Sequence, residues 1–495
     1  MLKSKESVYI NNIELAEVLT DKNDYLNDYF IVNNVSGRGI LAEENEVIPV
    51  TGMDGAHAAS SRTPVRYLDV TITAKGKDEN SLHKKLERLD ELIPRGKDLS
   101  IVFADEKDRT YHGRLDAVQG EFLSNILYQA TLSFICSDPF KYGSEKTVEF
   151  SEDSAIIENN GTAPAKPIIE LTAKEKSTFA MVTLGDEQYN LLGEPADDDV
   201  QIVDSRTSVL YENGSTIGDW QVATSQMVDE QHIEIAGEMG ADAGGIRASD
   251  YGTGNGIHGP AVFKEIDPIR DFEIEATFDI NSTRVSDSWR MGINFLDENL
   301  NMLGHIGLKD NSVNYQRRTP LARFGEWRGS GRQNGNLLGD ANKIDNSRNL
   351  TLFYLRVKRV GNTFDFYIAE WRGAKHERSW HEVYRDVNNE YAGKLKYITL
   401  YIGNYADRYL PSRLRINSVE VFELATVEQD QTPYIIYPGD VVTFDHVNDD
   451  VLLNGELSKD NFFGDFFELE KGQNHLTITP EGVFNTKIMY RERYR

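Results

Sequence analysis

The chain of 495 residues is short of several things, and each shortage removes a class of function. It has one cysteine, Cys136, so no intramolecular disulfide forms and a cysteine-rich zinc site is excluded. Cys136 lies between Ile135 and Ser137 and reads as a small packed apolar residue. No apolar run reaches the roughly 18 residues of a membrane-spanning helix. The opening residues, Met1 to Glu6, contain no apolar stretch, which sets the expectation of a chain made in the cytoplasm without a signal peptide. Basic residues are outnumbered, 53 against 80 acidic ones, for a formal net charge of -27. Nucleic-acid and anionic-membrane binding both need a basic face, so the balance argues against both. Gly-x-Ser-x-Gly and His-Glu-x-x-His motifs are absent. The ten histidines are scattered, and His376 and His381 lack partners at metal-ligand spacing. Gly252-Thr253-Gly254-Asn255-Gly256 lacks the Lys and the helix of a phosphate loop and reads as a plain loop.

What is present reads as β-structure. Residues 66–73 alternate, with Leu68, Val70 and Ile72 on one face and Tyr67, Asp69 and Thr71 on the other. Residues 128–134 alternate in the same way. One helix is predicted: Lys77-Asp78-Glu79-Asn80-Ser81 supplies caps and acidic charge, and Leu82, Leu86, Leu89 and Ile93 follow at helical spacing. Pro94 and Gly96 end it, and Lys84, Lys85, Glu87 and Arg88 form its solvated face. The long segment 41–62 reads as an arm that embraces a neighbouring subunit.

Composition changes after Cys136-Ser137-Asp138-Pro139-Phe140. Residues 201–425 hold all five tryptophans and about ten strand patterns, which predict a sandwich or jelly roll. The segments on either side, 144–200 and 426–495, are each too poor in strands to stand alone. Asn454-Gly455 inside the second predicts a type I′ hairpin. Two half-domains around a whole one indicate an insertion. The expected fold is therefore mainly β. An N-terminal β-domain with one helix (1–143) precedes a sandwich split into 144–200 and 426–495, and residues 201–425 interrupt it.

The order of several pieces resembles the distal tail protein family of long-tailed phages. They are Asn34-Val35-Ser36-Gly37-Arg38-Gly39, Arg62-Thr63-Pro64-Val65-Arg66, the single helix and the Cys136-Ser137-Asp138-Pro139-Phe140-Lys141-Tyr142 exit. The terminal hairpin and Phe466-Phe467-Glu468-Leu469-Glu470-Lys471-Gly472-Gln473-Asn474 complete the set. The resemblance implies a structural protein of the virion's tail tip. It implies a hexameric ring joining the major tail tube protein to the tail-tip and tail-associated lysin proteins, and a galectin-like split sandwich facing outward. Some family members carry an inserted carbohydrate-binding module, and residues 201–425 look like one, with host cell-wall polysaccharide as its partner.

Sugar binding needs flat aromatic faces beside planar polar side chains. The irregular loops of the insert offer Trp289 with Arg290, Tyr315 with Arg317, Trp327 with Arg328, Trp371 with Arg372, and Tyr405 with Asp407 and Arg408. Trp327 stands out because Gly325, Gly329 and Gly331 flank it; Trp220 reads as core. A cell-wall hydrolase is the rival expectation, and an insert that only packs on tail neighbours is the other. Glu265-Ile266-Asp267-Pro268-Ile269-Arg270 carries two carboxylates of a glycosidase trio, but Arg270 stands where the third belongs and Pro268 interrupts the strand, so no enzyme is expected. No cofactor is expected, although a structural calcium is compatible with Asp197-Asp198-Asp199 or Asp297-Glu298-Asn299.

Overall fold

The computed structural model describes residues 7–197, 200–228, 233–345, 350–406, 408–428 and 430–495. A seven-stranded sheet runs through the N-terminal part, in the order Ile13–Glu14, Val8–Ile10, Leu99–Phe103, Tyr111–Ser124, Leu127–Cys136, Arg66–Lys75, Tyr29–Ser36. Leu68, Val70 and Ile72 point into its core, as their alternation requires. The helix Glu79–Leu92 starts at Asp78, whose side chain accepts a hydrogen bond from the Ser81 backbone N–H at 2.7 Å. Leu82, Leu89 and Leu92 are its buried face. Lys85 departs from the expected solvated face: it is buried and ion-paired with Asp28. A short helix, Leu15–Leu19, escaped the sequence reading because five residues carry no helical period. Cys136 is buried, and burial pushes its thiol up to about 11.

The expected arm contains a hairpin, Glu44–Ile48 paired with His57–Arg62, exposed along its whole length. The pieces of the family pattern meet at one side chain. Arg66 is fully buried; its guanidinium donates to the carbonyls of Gly37 at 2.8 Å, Gly39 at 3.0 Å and Pro139 at 2.7 Å. Gly37 has φ +85°, and a Cβ there would lie 1.7 Å from the Tyr67 carbonyl oxygen, so only glycine fits.

The next unit has two sheets. The first runs Lys141–Phe150, Phe484–Tyr494, Ile168–Ala173, Val441–Asp445, Asp450–Leu453, Glu456–Leu457. The second runs Ser154–Asn159, Gly472–Thr479, Phe179–Leu184, Gln188–Gly193, Phe462–Gly464. Ile169, Leu171, Val182, Phe444, Leu476 and Ile488 fill the space between them. Asn454 and Gly455 take φ of 51° and 84°, as a type I′ turn needs.

Residues 206–424 form a larger sandwich of an eight-stranded and a ten-stranded sheet, more strands than the sequence patterns resolve. Phe272, Ile274, Phe278 and Ile280 from one sheet face Trp289, Met291, Ile293 and Phe295 from the other. Pro268 lies inside the strand Ala261–Ile269 without ending it, because the pairing register slips between Glu265 and Ile269. The chain enters and leaves this sandwich through a parallel strand pair, Gln201–Val203 with Gln431–Pro433. The turn after Thr363–Arg372 rests on the Asn454-Gly455 hairpin: His376 N–H donates to the Gly455 carbonyl at 2.9 Å. Arg356 pairs with Glu456 at 2.5 Å and Lys375 with Asp450 at 3.3 Å.

Removing the Arg66 guanidinium takes the donor away from three carbonyls at once. The substitution Arg66→Met is expected to lower the stability of the N-terminal unit by about 3 kcal/mol. Differential scanning calorimetry checks this by the shift of its transition, the larger sandwich's transition staying in place.

Candidate functional site

The outer face of the ten-stranded sheet carries an unusual set of side chains. The strand Trp289–Asp297 is buried on both faces. Its odd-numbered residues up to Phe295 enter the core, so Arg290, Gly292, Asn294 and Leu296 point the other way. The register then fixes one row straight across the sheet: Phe263, Thr399, Asn294, His305, Arg323 and Asn336 lie opposite one another in turn. The neighbouring row contains Gly292 opposite Gly307. This glycine pair makes room for the His305 ring; a Cβ on Gly292 would sit 2.3 Å from its Cε1.

His305 is fully enclosed, and burial together with the Arg290 charge holds its imidazole well below the usual histidine range, hence neutral. Its Nδ1–H donates to Asn294 Oδ1 at 2.8 Å, which leaves Nε2 as an acceptor. Nε2 of His305, Nδ2 of Asn294 and the hydroxyls of Thr399 and Thr319 are buried without any hydrogen-bond partner. Buried polar groups are nearly always satisfied, so four orphans on one sheet face are a departure that calls for a partner. Arg323 continues the row to the rim: burial pushes its guanidinium down to about 9, and the group lies 5.0 Å from the centre of the Trp327 ring.

Trp327 is half-buried, in a loop where Gly325, Gly329, Gly331 and Gly335 all have positive φ. Asn336 Nδ2 donates to the carbonyls of Gly329 at 2.8 Å and Gly331 at 3.0 Å and so fixes the loop. Beside it Phe324 stacks on Tyr384, with Tyr391 edge-on at 5.5 Å. Arg328 is exposed and pairs with Glu326 at 3.3 Å.

The other sugar candidates do not gather here. Trp289 is fully buried in the core, so it has no face to offer a ligand. Trp371 packs among Tyr354 and His376 on the opposite, eight-stranded sheet. Tyr315 is exposed at 44% and Tyr405 is half-buried beside Arg408; Asp407 lies outside the described residues. His376 is held by the Tyr367 hydroxyl at 2.9 Å and His381 by Asp365 at 2.8 Å. Glu265 pairs with Lys396 at 2.9 Å. Asp297 accepts from the backbone N–H groups of Asn299 and Asn301 and from Asn301 Nδ2; Asp198 and Asp199 lie outside the described residues. Asn294, His305 and Thr399 were missed by the sequence reading. Their signal was an all-apolar strand face backed by polar residues at every second position.

Residues 20–136 match the phage tail protein RIFT-related domain family, and residues 409–494 match the C-terminal domain of the siphovirus-type tail component. Over 155 residues the chain is 34% identical to the distal tail protein of Bacillus phage SPP1. That alignment covers 31% of this chain and 61% of the relative's length. The crystal structure of the SPP1 protein matches at a TM-score of 0.33 and 27% identity, covering 38% of this chain and 74% of that one. The CBM2 module of the evolved distal tail protein of Lactobacillus casei BL23 phage J-1 matches at 0.38 and 12%, covering 46% and 100%. A family GH16 endo-β-1,3(4)-glucanase matches at 0.32 and 9%, covering 49% and 98%. The matched segments are thus those of a siphovirus-type tail component, a part of the virion's tail tip. Within that class the chain is similar to the siphophage distal tail protein family and spans 61% of the SPP1 relative's length.

The buried histidines give the protein a pH dependence. An unfolded histidine titrates near about 6.5. In the fold, burial lowers His376 and His446 to about 4, and His305 shifts the same way. Between these values the unfolded chain binds more protons, so stability falls as pH drops from about 6.5 towards about 4. Thermal scans at pH 7.5 and pH 5 are expected to show a lower Tm at pH 5, with a smaller drop in His305→Gln.

Proposed function

We propose that this chain is a distal tail protein, the hub of the tail tip, and that residues 201–425 are an insert that binds the cell-wall polysaccharide of the host. In this reading residues 1–143 form a hexameric ring between the major tail tube protein and the tail-tip and tail-associated lysin proteins. Residues 144–200 and 426–495 form the galectin-like sandwich outside the ring, and residues 201–425 are the binding module. Sheet membership supports this division: apart from residues 141–143, which open the strand Lys141–Phe150, the principal sheets of each unit draw their strands from that unit alone. The exposed hairpin at 44–62 supports ring assembly: Val47 and Ile48 are more than half exposed, as expected of an arm that a neighbour covers. A net charge of -27 suits a channel through which DNA passes without sticking.

Trp327 carries the glycan reading. A half-exposed indole on a loop pinned by Asn336 offers a pre-set stacking face at the end of a polar row. Hydrolysis is not part of the proposal. Among the described residues the row from Phe263 to Asn336 contains no carboxylate, and a glycosidase needs two flanking the bond. In phage carrying Trp327→Ala, tails are expected to assemble normally while host-cell adsorption weakens by about 2 kcal/mol, roughly thirtyfold. Adsorption assays with electron microscopy of the tails check this. Unchanged adsorption would instead mean that the insert packs on neighbouring tail proteins.

A further inference from the structure

We propose that His305, Asn294, Thr399 and Thr319 form the floor of the insert's ligand site and read an uncharged oligosaccharide through its hydroxyl or amide groups. The inference rests on the glycan reading above and names the class of glycan. All four side chains are at least nine-tenths buried, and each presents a polar atom with no partner. A buried hydroxyl or amide left unpaired destabilises a fold. A valine of the same shape at Thr399 or Thr319 would avoid that penalty, so these hydroxyls are kept against the interest of stability.

The chemistry of the four atoms defines the ligand. His305 offers an acceptor, Asn294 a donor, and the threonines either. Every one is neutral, and the imidazole is kept so by its surroundings. A hydroxyl or acetamido group matches this set. A carboxylate or phosphate oxygen cannot donate to the His305 acceptor, whereas a hydroxyl or an acetamido N–H can. The row crosses six strands, about 24 Å at the usual strand spacing, which suits several sugar rings, and its rim end lies beside Trp327. Ala223, Met227 and Val228 pack over Ala261, Leu296 and Tyr401 at the Thr399 end of the face. This small apolar cluster is what an incoming oligosaccharide displaces.

The test uses the full chain as wild type, Trp327→Ala and the double variant Thr319→Val/Thr399→Val. Each is applied to an array of neutral, uronic-acid-containing and phosphorylated bacterial glycans, and its Tm is measured. The expected result is wild-type binding to neutral glycans, weakened about tenfold or more in the valine variant, whose Tm rises by about 2–4 °C. A valine variant with unchanged or lowered Tm, or with undiminished binding, overturns the floor. Binding confined to charged glycans overturns the ligand class. Binding lost in Trp327→Ala but intact in the valine variant defeats this inference alone, whereas a wild type that binds no glycan defeats the glycan reading and this inference with it.

Discussion

The strand Phe484–Tyr494 is the constraint on which the rest depends. It lies between Lys141–Phe150 and Ile168–Ala173, pairing with both. The middle sandwich therefore has no closed sheet until residues from both sides of the insert are joined. Whatever occupies 201–425 must return its two ends to the spacing of neighbouring strands, and the pair Gln201–Val203 with Gln431–Pro433 does this directly. The same strand sets the joint to the N-terminal unit. Lys141–Phe150 begins two residues after Pro139, whose carbonyl Arg66 holds. A single line of constraint thus runs from the Arg66 guanidinium, through the doubly paired strand, to the base of the insert.

At that base the eight-stranded sheet of residues 206–424 meets the middle sandwich. The eight-stranded sheet supplies Arg356, and the turn beyond Arg372 supplies Lys375, to the contact with the middle sandwich. A cavity of about 280 Å³ lined by Arg206, Glu273, Glu275, Tyr354 and Tyr437 remains in that contact. The polar row and Trp327 belong to the other side. The apolar layer between the two sheets of this unit is continuous.

Much of the fold was legible because its signals are local. Asp78 with Ser81 announces a helix start, Asn454-Gly455 a tight hairpin, and the period-two runs at 66–73 and 128–134 their buried faces. Errors arose where tertiary context overrides local pattern. Lys85 occupies a helical position that ought to be wet, but Asp28 from another segment covers it. Trp289 is flanked by polar residues and was read as a loop aromatic, yet it begins a strand buried on both faces, where one neighbour, Arg290, is as hidden as the indole itself. The site residues were harder still. Asn294, His305 and Thr399 come from three strands, and only the register brings them into one row. Trp327 was accessible to sequence reasoning because its glycines mark an irregular loop on their own.

Cryo-electron microscopy of the assembled virion tail tip tests the central claim most directly. The account predicts six copies of the chain around the tail axis at the end of the tube, residues 1–143 forming the ring, and six peripheral lobes of the insert with Trp327 facing outward. A ring of another kind of subunit at that position, or inserts turned inward so that Trp327 is covered by tail neighbours, would contradict it.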